Sequence, residues 1–293
     1  MTYGSISSIL SDPYLQTILV RAVIVGVLVS LCASLLGITL VLRRYSMIGD
    51  GLSHVGFGAL ALATALNLGS ASTAVSLPIV LAAAFLLMGL NEKRKMQGDA
   101  AIAVLSTGAI AIGTLLFRFS KNQYADICNS LFGTASMSTL SETDLWLTVA
   151  ISVVVLTLFL LFFTRIFSVT FDENFAKATG VHVRFYSLLL AALTAVTVVI
   201  GMKMVGAIMV SGLIIFPALS AMRVARRFSA VVITSASLAL ACFAIGFVLS
   251  LVLDVQPGPA IITIHVIAFL ICCLIGFLRN RIRTANSKKI VVE

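Results

Sequence analysis

Charged residues are scarce in this sequence. Asp, Glu, Lys and Arg make up 11% of its 293 residues, whereas an ordinary soluble domain carries about 25%. Hydrophobic residues reach 60% and the mean hydropathy is +1.13. A soluble core of this size could not bury so much apolar surface. The composition therefore predicts a polytopic integral membrane protein of the all-α class, a bundle of transmembrane helices.

The motifs of several common enzyme classes are also missing. No G-x4-G-K-[ST] loop is present to bind the phosphates of ATP. The absence of H-E-x-x-H, G-x-S-x-G and C-x-x-C argues against a zinc protease, an elbow hydrolase and a thiol redox enzyme. The five cysteines show no paired spacing, and we assign them no disulfide and no metal role. We expect a transport subunit rather than an enzyme, with any ATP hydrolysis carried out by another polypeptide.

Long apolar windows account for most of the chain. A spanning helix needs roughly 20 mostly apolar residues. Neither a polar linker nor an internal repeat interrupts them, so residues 1–293 are predicted to form one transmembrane domain. Nine spans are predicted, or eight if Lys203 lies in a re-entrant turn, and the longest polar stretch, 120–144, is expected to be partly embedded. The windows are 16–42, 46–66, 73–90, 99–119, 145–166, 185–203, 204–222, 229–253 and 259–278.

Basic residues alternate between the connections. The net charge is +9, and the basic clusters fall at residues 43–44, 93–95, 223–227 and 279–289, in every second connection. Because positive charge is retained on the cytoplasmic side, this pattern predicts an external N-terminus and a cytoplasmic C-terminus. It indicates contact with membrane lipids and not with nucleic acid.

The cytoplasmic connection at residues 165–184, called here the coupling segment, has the pattern of a short helix. Thr170 or Asp172 could cap its start, acidic residues suit the positive end of its dipole, and Gly180 would end it. A short helix held between two spans is suited to docking a soluble partner. An ordinary amphipathic connector would have the same pattern, and the residues alone do not decide between them.

One predicted span carries both a carboxylate and an imidazole, Asp50 and His54. A charge inside a bilayer costs about 2.5–3.5 kcal/mol or more, so such residues normally face a bundle interior or a water path. Their spacing of four places them on one helix face, where both could bind one cation. Gly58 and Ala61 continue that face and would leave a path beside the pair open. The alternative is that the pair binds helices together and the glycines permit close packing.

Two ligands are too few for a divalent metal. Zn²⁺ usually has about four donors and Mn²⁺ more, and two copies of the chain meeting at a symmetric dimer axis would supply two Asp and two His, enough for either metal. His265, in the last span, is a further candidate donor, although a histidine bonded to a neighbouring carbonyl is the simpler interpretation. His182 is expected to be a solvated surface residue.

Several stretches resemble, in order and spacing, the permease subunits of ATP-binding-cassette importers for zinc, manganese and iron. They are MIGDGLSHVGFGALA (47–61), FDENFAKATG (171–180), MVGAIMVSGLIIFPALSAM (204–222) and DVQPGPAII (254–262). The resemblance covers roughly residues 14–280.

The resemblance implies a homodimeric permease in a bacterial plasma membrane. It also implies two cytoplasmic ATPase subunits, an extracytoplasmic metal-binding protein and no permanently bound cofactor. The divalent metal ion is the cargo, and Asp50 and His54 would contact it. The residues implied in coupling to the ATPase are Phe171, Asp172, Glu173, Phe175, Ala176 and Gly180.

Two other functions remain open on the sequence. An ion-coupled carrier or channel could use the same pair as a proton or cation relay, but carriers often contain inverted repeats, and none is found. An intramembrane metalloenzyme would need a base and further ligands in a recognisable motif.

Overall fold

The computed structural model describes residues 13–43, 45–68, 72–92, 98–118, 131 and 142–290. Every regular element within these ranges is an α-helix, which confirms the predicted all-α class. Each of the nine predicted windows coincides with a helix or a pair of helices. The helices are α1 (Pro13–Leu42), α2 (Ser46–Ala65), α3 (Ser72–Glu92), α4 (Gly98–Phe117), α5 (Glu142–Leu161), α6 (Phe163–Phe171), α7 (Glu173–Ala178), α8 (Val183–Val205), α9 (Ala207–Val224), α10 (Phe228–Leu253) and α11 (Pro257–Ile290).

The predicted number of spans is not confirmed. Among the described residues, five helices are long and apolar enough to cross a membrane, namely α1, α4, α8, α10 and α11. A sixth span results if α5 and α6 are counted together. The shorter apolar helices Thr73–Met88 and Met209–Val224 lie within α3 and α9, and each contains a proline. In α2, the ionisable pair and four glycines lower the hydropathy of the helix.

The window at 145–166 is not one straight helix, which corrects the prediction. The chain bends by 67° between α5 and α6, at Phe162. Beyond the bend, α6 is amphipathic, because Ile166, Val169 and Thr170 are buried while Phe167 and Phe171 are exposed. Hydropathy alone does not detect the bend, since the apolar residues of α6 continue the pattern of α5. The predicted embedded stretch at 120–144 lies almost wholly outside the described residues.

Five helices, α1, α2, α3, α8 and α9, supply most of the main hydrophobic core. Their close approach depends on small residues. A Cβ atom added at Gly37 of α1 would collide with the backbone carbonyl oxygen of Ile214 in α9. Because a carbonyl in a helix backbone cannot move aside as a side chain can, α1 and α9 can approach this closely only with glycine at position 37.

The turn between α8 and α9 is enclosed by the bundle. Gly206 has φ 92°, a conformation that glycine adopts readily and other residues rarely, and both Gly206 and Ala207 are buried. One turn earlier, a Cβ at Gly201 would lie 3.1 Å from Val29, near the middle of α1. The break between the predicted windows 185–203 and 204–222, expected near Lys203, therefore falls at Gly206. Helix α9 begins inside the protein.

Candidate functional site

Asp50 and His54 lie in the first half of α2, and the structure brings their side chains together. His54 Nε2 is 3.5 Å from Asp50 Oδ2. The side chains are 13% exposed for His54 and 34% exposed for Asp50. The imidazole of His54 therefore lies mostly in the protein interior, whereas the carboxylate of Asp50 remains partly exposed at the surface of the single chain. This arrangement follows from the spacing of four in a helix.

The glycines of α2 serve close packing, so the expectation of an open path along Gly58 and Ala61 is wrong for this conformation. A Cβ at Gly58 would lie 3.0 Å from the carbonyl oxygen of Ala109 in α4, and Ala61 is fully buried. A Cβ at Gly56 would lie 2.5 Å from the sulfur of Met202 in α8. Helices α4 and α8 thus fill the space beside this part of α2.

A third polar side chain meets the pair from α9. The Ser211 side chain hydrogen-bonds to the Asp50 carboxylate, and Ser211 is 9% exposed. Ser211 was not identified as a site residue from the sequence. Helices α2 and α9 are far apart in the chain, and a single serine in an apolar span gives no signal of its partner.

One ring nitrogen of His54 has no partner. Nδ1 is buried and makes no hydrogen bond in the part of the chain that the structure describes. A buried polar atom without a partner costs about 1–3 kcal/mol, so such an atom in a native protein calls for a ligand, a water or an ion. Among the described residues, Nε2 of His265 is buried without a partner in the same way.

His265 lies on α11 and is 1% exposed. Its Nδ1 is 2.9 Å from the carbonyl oxygen of Ile261, which is the arrangement of a buried histidine bonded to its own helix. Within the described ranges, no group of three or more His, Cys, Asp and Glu side chains could hold a metal ion. The structure therefore does not join His265 to Asp50 and His54. His182 is exposed at the start of α8, as expected.

The coupling segment folds as two short helices, α6 and α7. Of the two predicted caps, Asp172 takes the role, since its Oδ1 accepts hydrogen bonds from the backbone N–H groups of Asn174 and Phe175. Thr170 instead donates to Ile166 within α6. Gly180, with φ 79°, follows the end of α7 as predicted.

The two faces of the coupling segment differ sharply in exposure. Ala176 is fully buried, whereas Phe171 and Phe175 are 59% and 62% exposed. Glu173 is also exposed and pairs with Lys177 at 3.3 Å. Two exposed phenylalanines near charged groups form an uncovered surface on this segment.

An aromatic cluster connects this segment to the start of α10. Phe163, Phe167 and Phe171, one turn apart on α6, all contact the ring of Phe228, with centroid distances of 5.4, 4.8 and 5.8 Å. Phe228 is the first residue of α10 and follows the short link from α9. A displacement of α6 would therefore act directly on the junction between α9 and α10.

The sequence matches the model of a known protein family over most of its length. The family model of the ABC 3 transport family matches residues 15–276. This chain belongs to the ABC 3 transport family. The resemblance found in the sequence is thereby confirmed at the level of the family, and the chain is a multi-pass membrane subunit of an ATP-binding-cassette transporter.

Relatives and a solved structure agree with this assignment. The chain is 27% identical to the manganese transport system membrane protein MntC of Listeria monocytogenes over 87% of this chain and 89% of that protein. It is also 27% identical to the high-affinity zinc uptake system membrane protein ZnuB of Haemophilus influenzae, over 87% and 96%. A solved structure, PsaBC from Streptococcus pneumoniae in complex with Fab, superposes with a TM-score of 0.79 and 27% identity, covering 91% of this chain and 93% of that one.

Proposed function

We propose that this chain is the permease subunit of an importer that carries a divalent transition metal across a bacterial plasma membrane. Manganese and zinc are the leading cargoes, because MntC and ZnuB are named for these metals, and iron is the third candidate. The transporter is a homodimer of this chain with cytoplasmic ATPase subunits and an extracytoplasmic metal-binding protein. The N-terminus is external and the C-terminus cytoplasmic.

The observation that carries this proposal is the geometry of Asp50 and His54. Their 3.5 Å separation is longer than an ordinary hydrogen bond of about 2.7–3.2 Å. If an ion were bonded to both atoms at about 2.0–2.1 Å, the angle at the ion between the two bonds would be about 115°, which is close to the tetrahedral value. The pair is therefore spaced to bind one cation between its two atoms.

The remaining ligands come from a second copy of the chain. One protomer supplies two ligands of the kinds that Zn²⁺ and Mn²⁺ bind, and a complete set needs about four or more. Asp50 is 34% exposed, and Met47, one turn earlier on α2, is 51% exposed. This edge of α2 is uncovered in the single chain and suits the axis of a homodimer, where two carboxylates and two imidazoles would meet.

The coupling segment is the docking site for the ATPase. The exposed Phe171 and Phe175 supply an apolar anchor of the kind that dominates protein interfaces. Closure of the ATPase subunits would move α6 and α7, and the contacts of Phe228 would carry the movement to α9. Because Ser211 on α9 hydrogen-bonds to Asp50, the metal site lies at the far end of this path.

The test is ATP-dependent metal uptake by vesicles that contain the chain with its ATPase partner. Asp50→Asn and His54→Gln keep the size of each side chain and remove the charge or the imidazole. We expect both variants to lose at least about 90% of uptake, since each removes a ligand. Asp254→Asn, which removes an exposed carboxylate after α10 and away from the site, is the matched control and should transport normally.

Manganese, zinc and iron are compared in the same assay, which identifies the cargo. Normal uptake by Asp50→Asn and His54→Gln, with wild-type amounts of protein in the membrane, would show that the pair has a structural role only.

A further inference from the structure

A basic cavity lies between the last turn of α9 and the distal part of α11. Its volume is about 580 Å³, within the range of about 300–1,000 Å³ that is usual for small-molecule sites. Arg223, Arg226 and Arg279 line it together with the apolar Met222 and Phe277. The cavity is separate from Asp50 and His54, since none of its lining residues lies on α2.

Within the part of the chain that the structure describes, no carboxylate pairs with the three arginines at this cavity. The ion pairs of the described residues include Arg21 with Glu142 and Lys177 with Glu173, both away from the cavity. Arg279 donates one hydrogen bond to the carbonyl oxygen of Val224, at 3.0 Å, which holds its guanidinium against the end of α9. Three guanidinium groups, from α9, from the link after it and from α11, thus line one space without an acidic partner among the described residues.

An uncovered apolar surface continues from the cavity along α11. Leu270, Leu274, Phe277 and Leu278 are each 51–60% exposed, and they extend from the cavity toward the middle of the helix. In a membrane, this surface faces acyl chains. The site therefore combines a cationic end at the boundary of the helical bundle with an apolar stripe about two turns long.

We propose that this cavity binds the phosphate headgroup of an anionic phospholipid, with the acyl chains along α11. Arginine forms bidentate hydrogen bonds with phosphate, and basic pockets between helices on the cytoplasmic side are suited to anionic headgroups. The orientation proposed above places the site at the inner leaflet. A free phosphate ion would use the same arginines but would leave the apolar stripe of α11 unused, which is why the lipid is the occupant.

The test uses the full permease with its ATPase partner in nanodiscs that contain equal parts of phosphatidylcholine and phosphatidylglycerol. Native mass spectrometry then counts the phosphatidylglycerol molecules that remain bound. Arg223→Gln with Arg226→Gln should lower the occupancy about tenfold or more. The control is Arg227→Gln, which removes one positive charge from an exposed residue of the same link that does not line the cavity, and it should retain the lipid.

Equal retention in the double variant and the wild type would overturn the proposal. An equal loss in the double variant and in Arg227→Gln would also overturn it, because it would show a general effect of surface charge rather than a site.

A second measurement needs no arginine variant. Cys273 lines the cavity and is partly exposed, whereas Cys32, Cys242 and Cys272 are buried. In a Cys128→Ser background, we expect a thiol reagent to modify Cys273 several-fold more slowly in discs with phosphatidylglycerol than in discs of phosphatidylcholine alone. Equal rates in both lipids would overturn the proposal. If inorganic phosphate alone slowed the modification of Cys273, the cavity would be a site for a free anion and not for a lipid. If Cys273 were protected in the absence of any anion, a neighbouring protein would be the occupant instead of the lipid.

Discussion

At the scale of single residues, the side chain of Ser211 brings a hydrogen bond from α9 to the Asp50 carboxylate. Ser211→Ala removes this bond, and we expect the apparent affinity for the transported metal to fall about 3- to 10-fold. The maximal uptake rate should change less, because both metal ligands remain. Uptake measured over a range of metal concentrations separates the two quantities.

Ser220→Ala is the matched control for that prediction. Ser220 lies on the same helix and donates its hydrogen bond within α9, to the carbonyl oxygen of Phe216 at 2.7 Å. If both alanine variants weaken metal affinity equally, the effect arises from α9 as a whole and the contact with Asp50 has no special role.

The site was only partly predictable at this scale. The pairing of Asp50 with His54 follows from helical spacing, and the structure contains it. Neither the partnership with Ser211 nor the unpaired Nδ1 of His54 has a local signal, because both depend on which helices pack against α2. The small residues at positions 58 and 61 were interpreted as a path, although small residues equally allow helices to approach closely.

At the scale of helices, the contact of α1 with α9 sets how closely the core can pack. Gly37→Ala places a methyl group against the carbonyl of Ile214, which neither backbone can avoid without separating the helices. We expect a loss of about 2 kcal/mol or more of stability, measured as a lower temperature of thermal aggregation in detergent.

Gly108→Ala provides the comparison for the packing prediction. A Cβ at Gly108 meets nothing within 4 Å, and alanine favours the helix by about 1 kcal/mol over glycine. This variant should be as stable as the wild type or more so. Equal destabilisation by both substitutions would contradict the close contact at Gly37.

The coupling segment offers another prediction at the scale of helices. Phe175→Ala removes an exposed aromatic anchor while leaving the Asp172 cap intact, so the helix should persist but bind the ATPase less well. We expect metal-stimulated ATP hydrolysis and uptake to fall together by about tenfold, with metal binding unchanged. Phe185→Ala, which is exposed to a similar degree (55%) outside the segment, should have little effect. Wild-type rates of ATP hydrolysis and uptake in Phe175→Ala would contradict the docking role of this surface.

At the scale of the whole molecule, hydropathy located nearly every helix of the described ranges, because long apolar windows have few alternatives to helix in a membrane. It did not establish how many of them cross the membrane. The bend at Phe162 and the break at Gly206 depend on packing and on a single backbone conformation, and neither interrupts the apolar pattern. The family was identifiable from the order and spacing of its motifs, although the chain is only 27% identical to the relatives MntC and ZnuB.

The whole transporter is proposed to bind its cargo between two protomers through Asp50 and His54. The most direct test is pulsed electron paramagnetic resonance of Mn²⁺ bound to the full permease and ATPase complex. This method detects a nitrogen nucleus bonded to the metal. We predict a nitrogen coupling in the wild type and in His265→Gln and its loss in His54→Gln. A coupling that survives in His54→Gln, or disappears in His265→Gln, would contradict the assignment of His54 as the ligand of the transported metal.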